Sequence, residues 1–192
     1  MAKSAKQIYQ IKVTLKYTKP PIWRRLLVSS DTTLADLHDI IQIAMGWTDS
    51  HLHHFEIEGR YYSVPNPYTD FGADFGLETA NARRFKLDKV VRGEGFKFEY
   101  VYDFGDNWEH TVLIEKILPF DPTQKLPVCV KGKRACPPED VGGVWGYGEF
   151  LEAIANPEHP NHDMYTEWIE GGVFDAEAFD MEGVNHRLAD LR

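Results

Sequence analysis

Cysteine is scarce in this chain, with only Cys129 and Cys136 in 192 residues. That excludes a disulfide framework as the source of stability and points to a reducing compartment. Long hydrophobic runs are missing too: nothing approaches the ~18 consecutive apolar residues of a membrane helix, so no membrane partner is expected. The opening "MAKSAKQIYQ" lacks the apolar core of a secretory signal, and a cytoplasmic protein is expected. Acidic residues are absent from residues 1–30, which hold seven basic ones, whereas residues 31–192 carry 14 basic against 30 acidic, a balance of −16. Such a field repels phosphate backbones unless the basic segment forms a separate face. No G-x-S-x-G nucleophile elbow occurs. "GGVWGYG" at 142–148 has neither phosphate-cradling glycine spacing, and Glu139 and Asp140 stand beside it, which excludes a P-loop.

What is present suits one globular domain, 1–192: 43% hydrophobic and 13% aromatic residues can build a sizeable core. Tyr9, Ile11, Val13, Leu15 and Tyr17 alternate with polar residues as a half-buried strand, and "IWRRLLV" reads as its hairpin partner. Thr33 to Asp36 reads as a helix cap, with Leu34, Leu37, Ile40, Ile41, Ala44 and Met45 at helical spacing up to a stop at Gly46. A short hairpin is expected around Glu58-Gly59, and residues 65–80 read as a loop able to serve as a lid. A second hairpin runs through "DFGDN", between Phe96, Phe98, Tyr100, Tyr102 and Trp108, His110, Val112, Ile114. Residues 119–148 read as irregular. Short helices are expected from Tyr147 to Asn156, from Met164 to Gly171, and around Ala176–Phe179 and Val184–Leu191. Strands first and helices last argue an α+β fold with a mostly antiparallel sheet and a set of short C-terminal helices, its strand-strand-helix-strand start being β-grasp-like.

Three stretches carry more chemistry than their local structure needs. In "HLHHF" (51–55), His51 and His53 share one side of an extended segment and His54 faces the other way, a spacing that can offer two imidazoles to one metal. In "YDFGDNWEH" (102–110), the turn accounts for Gly105 and one Asp but not for Trp108 and His110. Asp103 or Asp106 orienting His110 is therefore the candidate catalytic arrangement. In "CPPEDVGGVWGYG" (136–148), stiff prolines and permissive glycines surround Glu139, Asp140, Trp145 and Tyr147, which with Trp108 are the candidate ligand contacts. Trp23, Trp108 and Trp145 are expected to be largely buried. Cys129-x6-Cys136 lacks the spacing of a zinc knuckle and reads as two inert packed thiols. His38 is read as a boundary histidine on its helix, and His159 and His162 as surface residues.

"PPIWRRLLV", "TLADLHDIIQIAMGW", "YDFGDNWEHTVLIEKIL", "ACPPEDVGGVWGYGEFLEAIANPEHP" and "FDAEAFDMEGVN", in that order, resemble a family named after the third open reading frame of a root-inducing plasmid. Some of its members are labelled transposon-passenger or TnpR-like. The resemblance implies an association with mobile genetic elements and, for the TnpR-like label, a recombinase. The residues oppose the latter, because Ser29 and Ser30 precede Asp31 and the C-terminal part is acidic. The family pattern often has a third Cys where this chain has Val141, so a cysteine metal site would be incomplete here.

Three readings follow. The first is a binding or interaction module for a small molecule or protein, with a polar-aromatic cleft where the three stretches converge and no cofactor. The second is a metal-dependent hydrolase, with a divalent metal such as zinc on His51, His53 and His110 beside Asp103 or Asp106. The third is nucleic-acid binding through Lys12, Lys16, Arg24 and Arg25 with Trp23 stacking, which the charge balance places last.

Overall fold

Tyr9, Ile11, Val13 and Leu15 are buried along β1 (Gln7–Leu15), while Gln10, Lys12 and Thr14 face the other side. Each such buried apolar side chain stabilises the fold by roughly 1.5–3 kcal/mol. The strand stops at Leu15. Tyr17 therefore does not continue the buried row but turns out into solvent with a left-handed backbone. A computed structural model describes residues 5–65, 79–169 and 173–191. It forms one eight-stranded sheet in the order β5-β4-β3-β6-β7-β1-β2-β8, antiparallel except for β4 against β5.

β2 (Trp23–Ser29) pairs with β1 from Ile8↔Ser29 to Thr14↔Trp23. α1 (Leu34–Met45) opens on the expected capping box: Thr33 Oγ1 accepts from the Asp36 N–H at 3.1 Å and Asp36 Oδ2 accepts from the Thr33 N–H at 3.1 Å. It ends at Gly46, whose φ of 109° is open to glycine at little cost. β3 (His53–Ile57) and β4 (Arg60–Ser63) form the hairpin turned by Glu58 and Gly59. The expected loop at 65–80 and its lid role lie, for residues 66–78, outside the described residues, as does the helix stop at 171–172. Thr79 and Ala80 begin a short strand, β5 (Thr79–Asn81), followed by a 3-10 turn and by α2 (Leu87–Val90). β6 (Lys97–Tyr102) and β7 (Trp108–Pro119) are the second hairpin.

The opening order is strand, strand, helix, strand, yet β6 and β7 stand between β1 and β3 in the sheet. The stretch 119–148 is more regular than its prolines and glycines suggest. β8 (Val128–Lys133) adds an edge strand to β2, and α3 (Gly143–Ala155) begins four residues before Tyr147 because Gly142, at φ 92°, turns the chain into it. α4 (His162–Trp168) packs on α3, and α5 (Met181–Ala189) packs on α1 and β8. Ala176–Phe179 is no helix: residues 176 and 177 form a single turn in which the Ala178 N–H donates to the Asp175 carbonyl at 3.1 Å, and the Ala135 N–H donates to the Ala176 carbonyl at 3.1 Å, tying that turn to the chain after β8.

Candidate functional site

The sheet decides first what the basic N-terminal segment can do. Arg24 lies on the same face of β2 as Leu26 and Val28 and is buried. Its Nε donates to the Ala44 carbonyl at 2.7 Å, its Nη1 to the Lys133 carbonyl at 2.9 Å, and its guanidinium stacks 3.9 Å from the Phe179 ring. It is a clamp between β2, α1 and β8, out of reach of any phosphate. Arg25, on the solvent face, is held bidentately by Glu115 at 2.5 and 2.7 Å, and Lys16 is paired with Glu99 and Glu109. Of the expected cationic face, Arg24, Arg25 and Lys16 are thus engaged within the fold, and Lys12 Nζ lies 4.9 Å from the Trp23 ring. Arg24→Ala should lower Tm, through the orphaned carbonyls, while leaving retention on immobilised DNA unchanged; a lost DNA affinity with Tm intact would reverse this assignment.

The three chemical stretches divide into two clusters and one separately buried histidine, His110. Asp103 leaves β6 with φ 56°, and its Oδ1 accepts from the Gly105 N–H at 2.9 Å, so one oxygen serves the turn. The other, Oδ2, points back to His51 Nε2, 3.7 Å away. From the 136–148 loop, Asp140 Oδ1 stands 3.0 Å and Glu139 Oε2 3.9 Å from the same nitrogen. Glu139 is held by its other oxygen, which accepts from the Thr48 N–H at 2.9 Å, from Thr48 Oγ1 at 3.1 Å and from the Tyr102 hydroxyl at 3.1 Å. Burial, and then the Glu139 charge, pushes the Tyr102 phenol up, so it stays a donor. The loop itself is fixed to the turn, since the Gly142 N–H donates to Asp106 Oδ2 at 3.1 Å, and Trp47 Nε1 donates to the Pro137 carbonyl at 3.1 Å. His51 Nε2 is shielded from solvent, yet none of the three nearby carboxylates makes a hydrogen bond to it.

His53 belongs elsewhere. It stacks on His38 with ring centroids 3.4 Å apart and planes 8° from parallel, beside Asp49. His38 Nε2 contacts Asp49 Oδ1 at 2.8 Å and its Nδ1 contacts the Tyr100 hydroxyl at 2.8 Å. Burial drives the His53 pKa down to about 2, so that ring is neutral. A metal bonds an imidazole nitrogen close to the ring plane, and two stacked, parallel rings share no such line. His110 is a third, separate case: fully buried on β7, it contacts the Tyr100 carbonyl through Nδ1 at 3.2 Å and meets Trp47 edge-on. Burial lowers its pKa to about 4.

The hydrolase set of His51, His53 and His110 is therefore not assembled: His51 lies in the loop before β3, and His53 and His110, although on one face of the sheet, are on strands separated by β6. Asp106 orients no histidine; it holds Gly142. Of the ligand-contact candidates, Glu139 and Asp140 do border His51, whereas Trp108 and Tyr147 are buried in the core. Trp108 is buried as expected and Trp23 half-buried, but Trp145 is 92% exposed, which corrects the expectation of a buried scaffold. Its place in the first turn of α3, facing away from the core row of Tyr147 and Phe150, is the reason. Cys129 is buried and Cys136 half-buried, burial raises both thiols, and neither enters a metal-competent group among the described residues. Val141 is buried. The Tyr102 and Thr48 contacts that hold Glu139 had no signal in the spacing of the sequence.

Comparisons place this architecture among known proteins. A family described as plasmid pRiA4b ORF-3-like protein matches residues 7–183. The chain is 38% identical over 185 residues to the uncharacterized protein y4hQ of Sinorhizobium fredii, covering 96% of this chain and 92% of that one. Among solved structures it is similar to the crystal structure of a protein of unknown function, MM3350, from Methanosarcina mazei Go1, with a TM-score of 0.81 at 36% identity over 93% of this chain and 98% of that one. With the fold matched over nearly its whole length and the five sequence stretches in place, the chain belongs to the plasmid pRiA4b ORF-3-like family.

Proposed function

We propose that the protein is a binding module and that the ligand of its cleft is a divalent cation, held by His51, Asp103 and Asp140 with Glu139 within reach. One observation carries the reading. Two segments far apart in sequence, at 103 and at 139–140, bring three carboxylate oxygens to 3.0, 3.7 and 3.9 Å from one imidazole nitrogen, on a third segment, that none of them hydrogen-bonds. Ligand atoms bonded at about 2.0–2.2 Å to one tetrahedral ion lie roughly 3.4 Å from each other, and these separations bracket that value. Asp103 gives one oxygen to the Gly105 N–H, which leaves the other aimed inward, and Glu139 is held by Thr48 and by the Tyr102 hydroxyl, which reaches Oε1 at 3.1 Å and Oε2 at 3.3 Å, as outer hydrogen bonds do for metal ligands. Without a cation, three carboxylates so close together repel. A mixed nitrogen and oxygen set suits zinc or manganese better than calcium. Asp140, whose side chain is 69% exposed, leaves the site open on one side.

Protein purified without chelator or metal-affinity tag should take up one equivalent of Zn²⁺ or Mn²⁺ by calorimetry. His51→Ala and Asp103→Asn should each weaken that uptake at least tenfold. The Asn keeps the oxygen that caps Gly105, so Tm of the metal-free variant should stay near that of the parent. Metal and proton compete for one nitrogen, and uptake should weaken on acidification. Absence of stoichiometric uptake, or uptake indifferent to both substitutions, would refute the reading.

A further inference from the structure

The side chain at Trp145 is the most exposed large ring among the described residues, and Tyr17 is 69% exposed close by. Burying an indole is among the largest apolar contributions a side chain can make, so an outward Trp on a rigid helix is a surface awaiting a cover. Both are held in place. Trp145 sits in the first turn of α3, seated against the 103–107 turn through Gly142 and Gly143, and Tyr17 is fixed beyond β1 with its hydroxyl 3.5 Å from Glu109 Oε2. The two rings border one groove of about 880 Å³, together with Val144, Glu109, Glu149 and Glu152. No lysine or arginine lines it among the described residues.

We infer that this groove docks an arginine-bearing segment of a partner protein, the guanidinium lying on Trp145 and paired with Glu149 or Glu152. The charge is complementary, because the lining is acidic and the net charge of the chain is −9. An aromatic face attracts a planar cation, and a carboxylate takes its fork of N–H donors. The same chemistry is already present within this chain: the Arg25 guanidinium lies 5.2 Å from the Trp23 ring while Glu115 holds it bidentately. A nucleic-acid strand could stack on the indole, but three glutamates would repel its phosphates. A purely apolar ligand would press against carboxylates it cannot pair, which is costly on burial.

The probe is a nonapeptide with two arginines flanking a leucine, titrated into the intact protein at low ionic strength and followed by the indole N–H signals in NMR. The Trp145 signal should shift and that of buried Trp108 should not, with micromolar affinity that weakens as salt rises. A citrulline version, which keeps the planar shape and loses the charge, should bind at least tenfold more weakly. Trp145→Ala should cost at least tenfold, and the Glu149→Gln, Glu152→Gln pair should flatten the salt dependence. Trp145 is exposed, so these variants should fold and keep any metal uptake. Failure of the arginine peptide to bind, equal binding of the citrulline peptide, or indifference to Trp145→Ala would overturn the proposal. So would a concentration-dependent dimer abolished by Trp145→Ala, which would assign the groove to a second copy of the chain.

Discussion

Acidification from pH 7 to 4 should unfold this protein cooperatively, with most of the loss between about pH 6.5 and 4. The native state buries histidines as neutral rings: burial holds His54 and His110 down to about 4 and His53 to about 2. In the unfolded chain each titrates near its usual ~6.5. Between those limits the unfolded state binds protons that the native state refuses, so stability falls as pH falls. A gap of about 2.5 pH units corresponds to roughly 3 kcal/mol for each of His54 and His110 by pH 4. His53 adds to the slope over the same range. Together these approach the ~5–15 kcal/mol that a whole domain commands. The measurement is urea unfolding at a series of pH values. His110→Phe should flatten the acid limb, since the buried ring sits against Trp47 and Tyr100 and its Nε2 has no hydrogen-bond partner among the described residues. An acid limb unchanged in that variant would show that His110 is not a principal source.

The strands and first helix were legible because their patterns are local. Period-two alternation set β1, β2, β6 and β7, and the Thr33, Asp36 and Gly46 signals set both ends of α1. The same alternation also held the answer for Arg24. It is in register with Leu26 and Val28 and faces the core, a placement that charge alone argues against. What stayed hidden depends on contacts across long sequence separations. β8 is an edge strand whose partner lies about a hundred residues earlier, and its Gly132 is recessed because Phe179 occupies the space a side chain would fill.

The convergence of the three chemical stretches was inferable from economy, but the membership of the cluster was not. His51 and His53 are two residues apart, and β3 begins at the second of them. One ring therefore lies in a loop beside the 139–140 carboxylates while the other stacks on His38. Asp49, Gln42 and Tyr100, which with His38 make a hydrogen-bonded network under that pair, carry no motif in the sequence.

Two alanine substitutions two residues apart in α3 should change stability in opposite directions. A Cβ at Gly146 would stand 2.0 Å from the Val141 carbonyl oxygen and 2.9 Å from its carbon, both backbone atoms, with no flexible side chain to yield. Relief requires moving either the helix or the loop, and the loop is pinned by Asp106 at Gly142 and by Trp47 at Pro137. Gly146→Ala should therefore destabilise by about 3 kcal/mol or more, in the class of overpacked cores. At Gly148 an added Cβ meets nothing within 4 Å. There the helix interior gains what Ala gains over Gly, and Gly148→Ala should stabilise by about 0.5–1 kcal/mol. In a domain of this size these correspond to a Tm drop of roughly 6–12 °C and a rise of roughly 1–4 °C. The readout that joins stability to the site is cation uptake. Val141 follows Asp140 directly, so the shift forced by Gly146→Ala moves the Glu139 and Asp140 carboxylates away from His51, and uptake should fall even at temperatures where the variant is folded. Gly148→Ala leaves that loop untouched and should keep it. If both variants proved equally stable, the close seating of α3 on the 139–142 loop would be wrong, and with it the geometry that brings those carboxylates to His51.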